Sequence, residues 1–131
     1  VHAGEAAISE AAANVLVALD KLGAVRIGHG IQIINDANIL KRVAREGILL
    51  EVCPTSNVLT NSVPSLAAHP IRRLLEAGVK VCVNTDDPGI FDYSLSQEYL
   101  ALAAVHGFSD SEFSTMNAWA RAASFLAHAN G

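Results

Sequence analysis

Four short segments of this chain carry the side chains that could bind a metal ion or move a proton. They are residues 1–5 (VHAGE), 26–30 (RIGHG), 51–57 (EVCPTSN) and 84–88 (NTDDP). Histidine and carboxylate side chains bind Zn²⁺ and act as general acids and bases, so these segments could support metal-assisted hydrolysis. Taken one at a time they have simpler explanations, because a lone histidine is most often structural and an Asp-Asp-Pro sequence favours a turn.

The elements around these segments alternate between strand and helix. Apolar runs predict strands at residues 24–28, 48–53 and 79–83, with a further strand ending at residues 1–2. Helical periodicity and end signals predict helices over residues 9–22, 37–46 and 70–77, followed by two helices beginning at the capping patterns of Ser94 and Ser109. Residues 54–69, rich in Ser, Thr, Asn and Pro, are predicted to form a long loop.

This alternation predicts an α/β fold. A βα repeat of roughly 25 to 30 residues with nearly continuous apolar strands is typical of a parallel sheet covered by helices. All four segments then lie at the C-terminal ends of strands, the rim where barrels and doubly wound sheets bind ligands. Four such units make half of a (β/α)8 barrel, and because half a barrel has open edges we expect an upstream half to complete it.

Composition excludes several classes of protein. The chain has 131 residues, of which 51% are hydrophobic, and a net charge of −4. This composition excludes disorder, and we expect neither a membrane span nor a nucleic-acid or membrane partner, since no basic run exceeds Arg72-Arg73. Cys53 and Cys82 are too few for a disulfide framework and predict a reducing, cytoplasmic location. We expect both to be small buried hydrophobic residues with no chemistry.

The four segments, in this order and at this spacing, resemble the C-terminal half of the adenosine deaminase family, within the zinc-dependent amidohydrolases. The resemblance covers essentially the whole chain. It implies strands five to eight of a (β/α)8 TIM barrel, with residues 1–131 forming a single unit. It also implies one Zn²⁺ per complete protein and the deamination of adenosine, and of 2'-deoxyadenosine, to inosine and ammonia. Gly28 and Thr85 favour adenosine, because related adenine deaminases tend to carry Asp and Ser there.

The resemblance also implies roles for individual residues. His2 and Asp86 would bind the metal, which lowers the pKa of a coordinated water from about 15.7 toward about 7. Glu5 would donate a proton to purine N1, and His29 would orient the attacking water. Gly4 and Asp87 would bind the substrate. Two further residues would hold His29 and Asp86 in place by hydrogen bonds, namely Glu51 and Ser56.

The family's remaining zinc ligands are a His-x-His pair, which this sequence lacks. We therefore expect the upstream half-barrel to supply them and the 131-residue chain alone to be inactive. Two alternatives stay open: an adenine deaminase, or a non-catalytic purine-binding or interaction module if the pair is truly missing.

The sequence lacks the motifs of two other classes of hydrolytic enzyme. Ser56 lacks the G-x-S-x-G elbow of serine hydrolases, and the H-x-E and P-C-x-x-C signature of the other zinc deaminases is absent. Glu5 has a simpler alternative role as a solvated carboxylate near a helix N-terminus. The histidines outside the four segments are expected at the surface or at helix ends: His69, His106 and His128.

Overall fold

The structure, a computed structural model, describes residues 1–126. Its centre is a parallel four-stranded sheet in the order β1-β2-β3-β4. The strands are β1 (His2–Ala3), β2 (Arg26–His29), β3 (Leu49–Val52) and β4 (Lys80–Val83). In the register of the sheet, Gly28 pairs with both His2 and Glu51, and Glu51 pairs with Cys82. This register sets the strand ends, and the polar segments that follow them, side by side.

Helices connect the strands and close the chain. They are α1 (Ala11–Leu22), α2 (Ala37–Glu46), α3 (Pro54–Leu59), α4 (Ile71–Glu76), α5 (Pro88–Phe91), α6 (Leu95–His106) and α7 (Asp110–Ala122). A 3-10 helix, Ile31–Asn35, lies between β2 and α2. No helix in this part of the chain is long and apolar enough to cross a membrane.

Most helix ends lie where the sequence signals predict them. The Asp36 side chain accepts hydrogen bonds from the first amides of α2, and Gly47 ends that helix in a left-handed conformation. Ser94 and Ser109 begin α6 and α7 with complete capping boxes. Pro70 lies one position earlier than predicted, as the residue that precedes α4.

The core lies between the sheet and the helices and is almost entirely aliphatic. Ile27, Leu50 and Val81 contribute from successive strands, and Val15 and Leu74 contribute from helices; all five side chains are fully buried. The α/β fold and the partial (β/α)8 barrel predicted from the alternating pattern are confirmed. Cys53 and Cys82 are buried free thiols, as expected.

The prediction of a continuous loop over residues 54–69 was wrong. Residues 54–59 form α3, in which Pro54 occupies a first-turn position. Proline suits that position because its fixed φ angle matches a helix and its missing N–H would have no partner there. Ser56 and Asn57, which indicated a loop, are instead fully buried in this helix and bond to other parts of the chain.

Candidate active site

The C-terminal ends of the strands surround one cleft of about 300 Å³. Its walls include His2, His29, Glu51, Thr85 and Asp86. Side-chain donor atoms of His2, His29 and Asp86 lie within 4.8 Å of one another, a separation that could hold one metal ion. The structure thus brings together residues that are 84 positions apart in the chain, from His2 to Asp86.

Two of these residues have unusual backbone conformations. His29 has a φ of 63° and Asp86 a φ of 62°, so both lie in the left-handed region that non-glycine residues rarely adopt. Such a conformation costs roughly 1–2 kcal/mol per residue and persists only where the surroundings impose it. His29 is the last residue of β2 and Asp86 lies three residues past the end of β4, and both side chains line the cleft.

Glu5 follows the end of β1 and lies beside His29, one of the residues that line the cleft. Gly4, with a φ of 69°, turns the chain there, and a Cβ atom at this position would lie only 2.7 Å from Cγ2 of Val15. Glu5 Oε2 lies 3.5 Å from His29 Nε2. Its other oxygen, Oε1, accepts a hydrogen bond of 3.2 Å from the Thr60 hydroxyl. The Glu5 carboxyl therefore has two neighbours in the fold, the His29 ring and the Thr60 hydroxyl.

Asp86 is held by the helix that follows β3. The Ser56 hydroxyl donates a 2.7 Å hydrogen bond to Asp86 Oδ2. The same oxygen lies 3.9 Å from His29 Nε2. The Ser56 hydrogen bond therefore fixes the orientation of the Asp86 carboxylate, which lines the cleft.

His29 is nearly inaccessible, with 2% of its surface exposed. Burial is the main influence on its imidazole and lowers the pKa of His29, while the nearby carboxylates of Glu5 and Asp86 oppose that shift. On its other side, Nδ1 of His29 lies 3.1 Å from the Asn57 side-chain amide. The ring is thus fixed between the cleft and the protein interior.

The helix that carries Ser56 and Asn57 is supported by a buried carboxyl. Glu98 of α6 is fully buried, and its Oε1 accepts a 3.1 Å hydrogen bond from the backbone N–H of Thr55 at the start of α3. Burial raises the pKa of Glu98 above its usual value. Glu98 therefore stabilises α3 and, through it, the hydrogen bonds that orient Asp86 and His29.

The structure corrects two expectations about neighbouring residues. Glu51 was expected to hold His29, but its carboxylate lies 3.4 Å from Arg26 Nε, on the adjacent strand, and Asn57 contacts His29 instead. His69 was expected at the surface or a helix end, yet only 3% of it is exposed. Both ring nitrogens have hydrogen-bond partners inside the protein, which offsets the cost of burying the imidazole.

The other predicted residues lie at or beside the cleft. Gly4 lines a neighbouring pocket that shares His2 with the cleft, and Asp87, the exposed residue before α5, directly follows Asp86. The exposed Asp87 side chain makes no hydrogen bond to the first turn of α5. His106 lies at the end of α6 as expected, and His128 is outside the described residues.

Sequence reasoning assigned no role at the site to three residues that contact it or support it, namely Asn57, Thr60 and His69. Asn57 stands within one of the four polar segments, so its position was a usable signal. Thr60 and His69 lie in no such segment. Their contacts depend on the path of the chain after α3, which no local pattern predicts.

A half-barrel with histidine and carboxylate side chains around one cleft at its strand ends belongs to the class of amidohydrolase-fold proteins. The family model for adenosine deaminase matches residues 1–130. The chain therefore belongs to the adenosine deaminase family, and the resemblance drawn from the four segments is confirmed.

Relatives in this family carry two different names. Over 126 residues, the chain is 48% identical to an adenine deaminase of Rhizobium meliloti (strain 1021), covering 96% of this chain and 38% of that protein. It is 41% identical to an adenosine deaminase of Plasmodium gallinaceum, covering 96% of this chain and 35% of that protein. The chain thus spans well under half the length of these relatives.

Solved structures share the fold. An adenine deaminase from Arthrobacter aurescens superimposes with a TM-score of 0.90 at 38% identity, over 98% of this chain and 38% of that structure. An amidohydrolase from Burkhoderia ambifaria with bound Zn superimposes with a TM-score of 0.85 at 26% identity, over 97% of this chain and 35% of that structure.

Proposed function

We propose that the complete protein catalyses the zinc-dependent hydrolytic deamination of a 6-aminopurine, with adenosine as the substrate. The main support is the common cleft: donor atoms of His2, His29 and Asp86 lie within 4.8 Å of one another, and Glu5 lies 3.5 Å from His29. Family membership and the names of the relatives support the same class of reaction.

The donor set fits a zinc ion. Imidazole nitrogen and carboxylate oxygen are ligands that zinc binds, and the Ser56 hydrogen bond leaves one Asp86 oxygen available. In this proposal His2 and Asp86 hold one Zn²⁺ together with ligands from an upstream half-barrel. When bound, the ion makes a water molecule nucleophilic near neutral pH.

The chain's own residues carry the proton transfers. Glu5 delivers a proton to N1 of the purine as water adds to C6. His29 donates a hydrogen bond toward the oxygen where negative charge develops, and Asp86 accepts one from the attacking water. Asp86 takes one proton of the attacking water and passes it to the amino group, so that the C6–N bond breaks and ammonia leaves. The second water proton returns to Glu5, which leaves a carbonyl at C6 and hydrogen on N1. Gly4 and Asp87 contact the base.

Adenine is the second candidate substrate, since several relatives are named adenine deaminase. Adenosine is supported by Gly28, where even a Cβ atom would lie 3.1–3.3 Å from the His2 ring. A larger side chain at position 28 would fill this end of the cleft. Such a side chain would favour the smaller base adenine, whereas glycine leaves room for the nucleoside adenosine.

Parallel kinetics on the complete, zinc-loaded protein test the proposal. We expect ammonia release with adenosine and 2'-deoxyadenosine, with kcat/KM for adenosine at least tenfold above that for adenine. The opposite ratio would identify the adenine alternative. Tight purine binding without metal or turnover would identify a non-catalytic binding module. The His2→Ala variant should lose both metal and turnover, whereas His106→Ala, outside the cleft, should keep both.

The proposal extends to partners and location. We propose that an upstream half-barrel pairs with the β1 and β4 edges, each of which has one strand neighbour within residues 1–126. A small purine nucleoside is the ligand, without nucleic acid or membrane partners. The free buried thiols of Cys53 and Cys82 fit a reducing compartment, and we propose the cytoplasm.

A further inference from the structure

A line of buried hydrogen bonds leads from α4 to the cleft. The backbone N–H of Ile71 donates to His69 Nδ1 at 3.1 Å. His69 Nε2 lies 3.2 Å from Asn57 Oδ1, and Asn57 Nδ2 lies 3.1 Å from His29 Nδ1. We call His69, Asn57 and His29 the buried relay. Their exposed fractions are 3%, 0% and 2%.

The direction of every hydrogen bond in the relay follows from its first member. A backbone N–H can only donate, so His69 Nδ1 must be an unprotonated acceptor. A neutral His69 then carries its proton on Nε2 and donates it to Asn57 Oδ1. The Asn57 amide must therefore present its NH₂ group to His29, which makes His29 Nδ1 an acceptor too.

Burial supports the neutral state of His69. Removal of its imidazole from water lowers the pKa of His69 to about 3. A protonated His69 would also point its Nδ1–H at the backbone N–H of Ile71, and neither group can accept a hydrogen bond. The relay is thus consistent only with one proton arrangement at neutral pH.

We propose that Asn57 and His69 are positioning residues that fix the tautomer of His29, so that its proton lies on Nε2 and faces the cleft. Nε2 is the atom 3.5 Å from Glu5 Oε2 and 3.9 Å from Asp86 Oδ2. His29 is then a hydrogen-bond donor to the reacting oxygen and not a third metal ligand, although its distances to His2 and Asp86 would allow either role. This donor role rests on the proposed function, whereas the tautomer does not.

Nitrogen-15 NMR of the complete protein labelled at histidine reads the tautomer directly. The His29 resonances can be assigned by their loss in His29→Gln. We expect the shift of an unprotonated nitrogen at Nδ1 and of a protonated nitrogen at Nε2, both with and without zinc. A protonated Nδ1, or loss of the Nε2 proton on zinc loading, would overturn the proposal. Neither outcome depends on turnover, so the relay can fail independently of the deaminase proposal.

The Asn57→Asp variant tests whether the hydrogen bond from Asn57 determines the tautomer of His29. Aspartate has nearly the same shape but can only accept, so His29 should now carry a proton on Nδ1. We expect kcat to fall about 10- to 100-fold with KM within about threefold, the range typical for residues that orient a site. Asn117→Asp is the matched control, because Asn117 Oδ1 already accepts from the Tyr99 hydroxyl, and it should stay within about threefold of the native protein.

A third variant separates positioning from general loss of structure. His69→Phe keeps an aromatic ring but removes both hydrogen bonds, so the His29 tautomer should become mixed while zinc content is retained. An unchanged His29 tautomer in folded Asn57→Asp and His69→Phe proteins would overturn the assignment of these two residues.

Discussion

The Ser56 hydroxyl donates a 2.7 Å hydrogen bond to Oδ2 of Asp86, linking the short helix α3 to the end of β4. Ser56 is fully buried, and its helix is capped from α6 by Glu98. Asp86 itself has a left-handed backbone conformation. The carboxylate is therefore oriented by its own strand end and by a neighbouring helix before any ligand binds.

Removal of this hydroxyl should weaken metal binding. In the complete protein we expect Ser56→Ala to lower zinc affinity about 10- to 100-fold, because Asp86 loses the hydrogen bond that orients it. A competitive chelator titration measures the change. Ser114→Ala, an exposed serine on α7, is the control and should leave the affinity unchanged. Equal affinities in the two variants would show that Ser56 does not support the metal site.

Substitution of the two adjacent aspartates should have different effects on zinc retention and on substrate binding. Asp86→Ala should abolish zinc retention, since Asp86 belongs to the donor cluster. Asp87→Ala should retain zinc but lose substrate affinity and turnover, because Asp87 lies outside that cluster. Metal analysis and steady-state kinetics of both purified variants check the division. Equal metal loss would mean that the pair is wrongly assigned.

The sequence predicted the features that depend on local signals. Asp36, Ser94 and Ser109 cap helices through contacts within a few residues, and the structure has all three. The polar segments at the strand ends were predictable because side chains there are not needed for the core. Because the strands lie in chain order in a parallel sheet, the alternating pattern was enough to predict that His2, His29 and Asp86 lie at the same edge.

Long-range hydrogen bonds were not predictable from the sequence. Nothing local distinguishes the buried His69 from an exposed histidine, because its burial depends on Asn57, 12 positions earlier. Glu51 was assigned to His29 although Arg26, on the adjacent strand, offers it a charged partner. The Pro54 helix was missed because buried Ser56 and Asn57 have the composition of a loop.

The buried His69 should make stability depend on pH. Its pKa is about 3 in the folded protein and about 6.5 when unfolded, so between these values the unfolded state binds more protons. Its contribution to stability is present above pH 6.5 and is lost as pH falls toward 3. We expect a slope of up to ~1.4 kcal/mol per pH unit in this window. Urea unfolding of native protein and His69→Gln should show a smaller slope in the variant; equal slopes would contradict this.

Gly4 should be intolerant of a side chain. Gly4→Ala places a Cβ atom 2.7 Å from Val15 Cγ2 at a φ of 69°, so both packing and backbone are strained. We expect a loss of roughly 1–3 kcal/mol of unfolding free energy. Gly89→Ala is the matched control, because a Cβ atom at position 89 would meet nothing within 4 Å. Chemical denaturation compares the two, and similar stabilities would show that the loop at Gly4 can adjust.

Glu5→Gln should separate binding from chemistry. Glutamine keeps the shape of Glu5 and can still accept from Thr60 and donate a hydrogen bond to purine N1, but it cannot deliver a proton. The variant should therefore fold, retain zinc and bind adenosine, while kcat falls about 100- to 10,000-fold, the range for a positioned general acid. Glu76→Gln, at the exposed end of α4, serves as the control for loss of one carboxylate. Steady-state kinetics with zinc content checked decide the outcome. A rate within about threefold of the native enzyme would remove Glu5 from the mechanism, since a group that only binds in the ground state changes KM and not kcat.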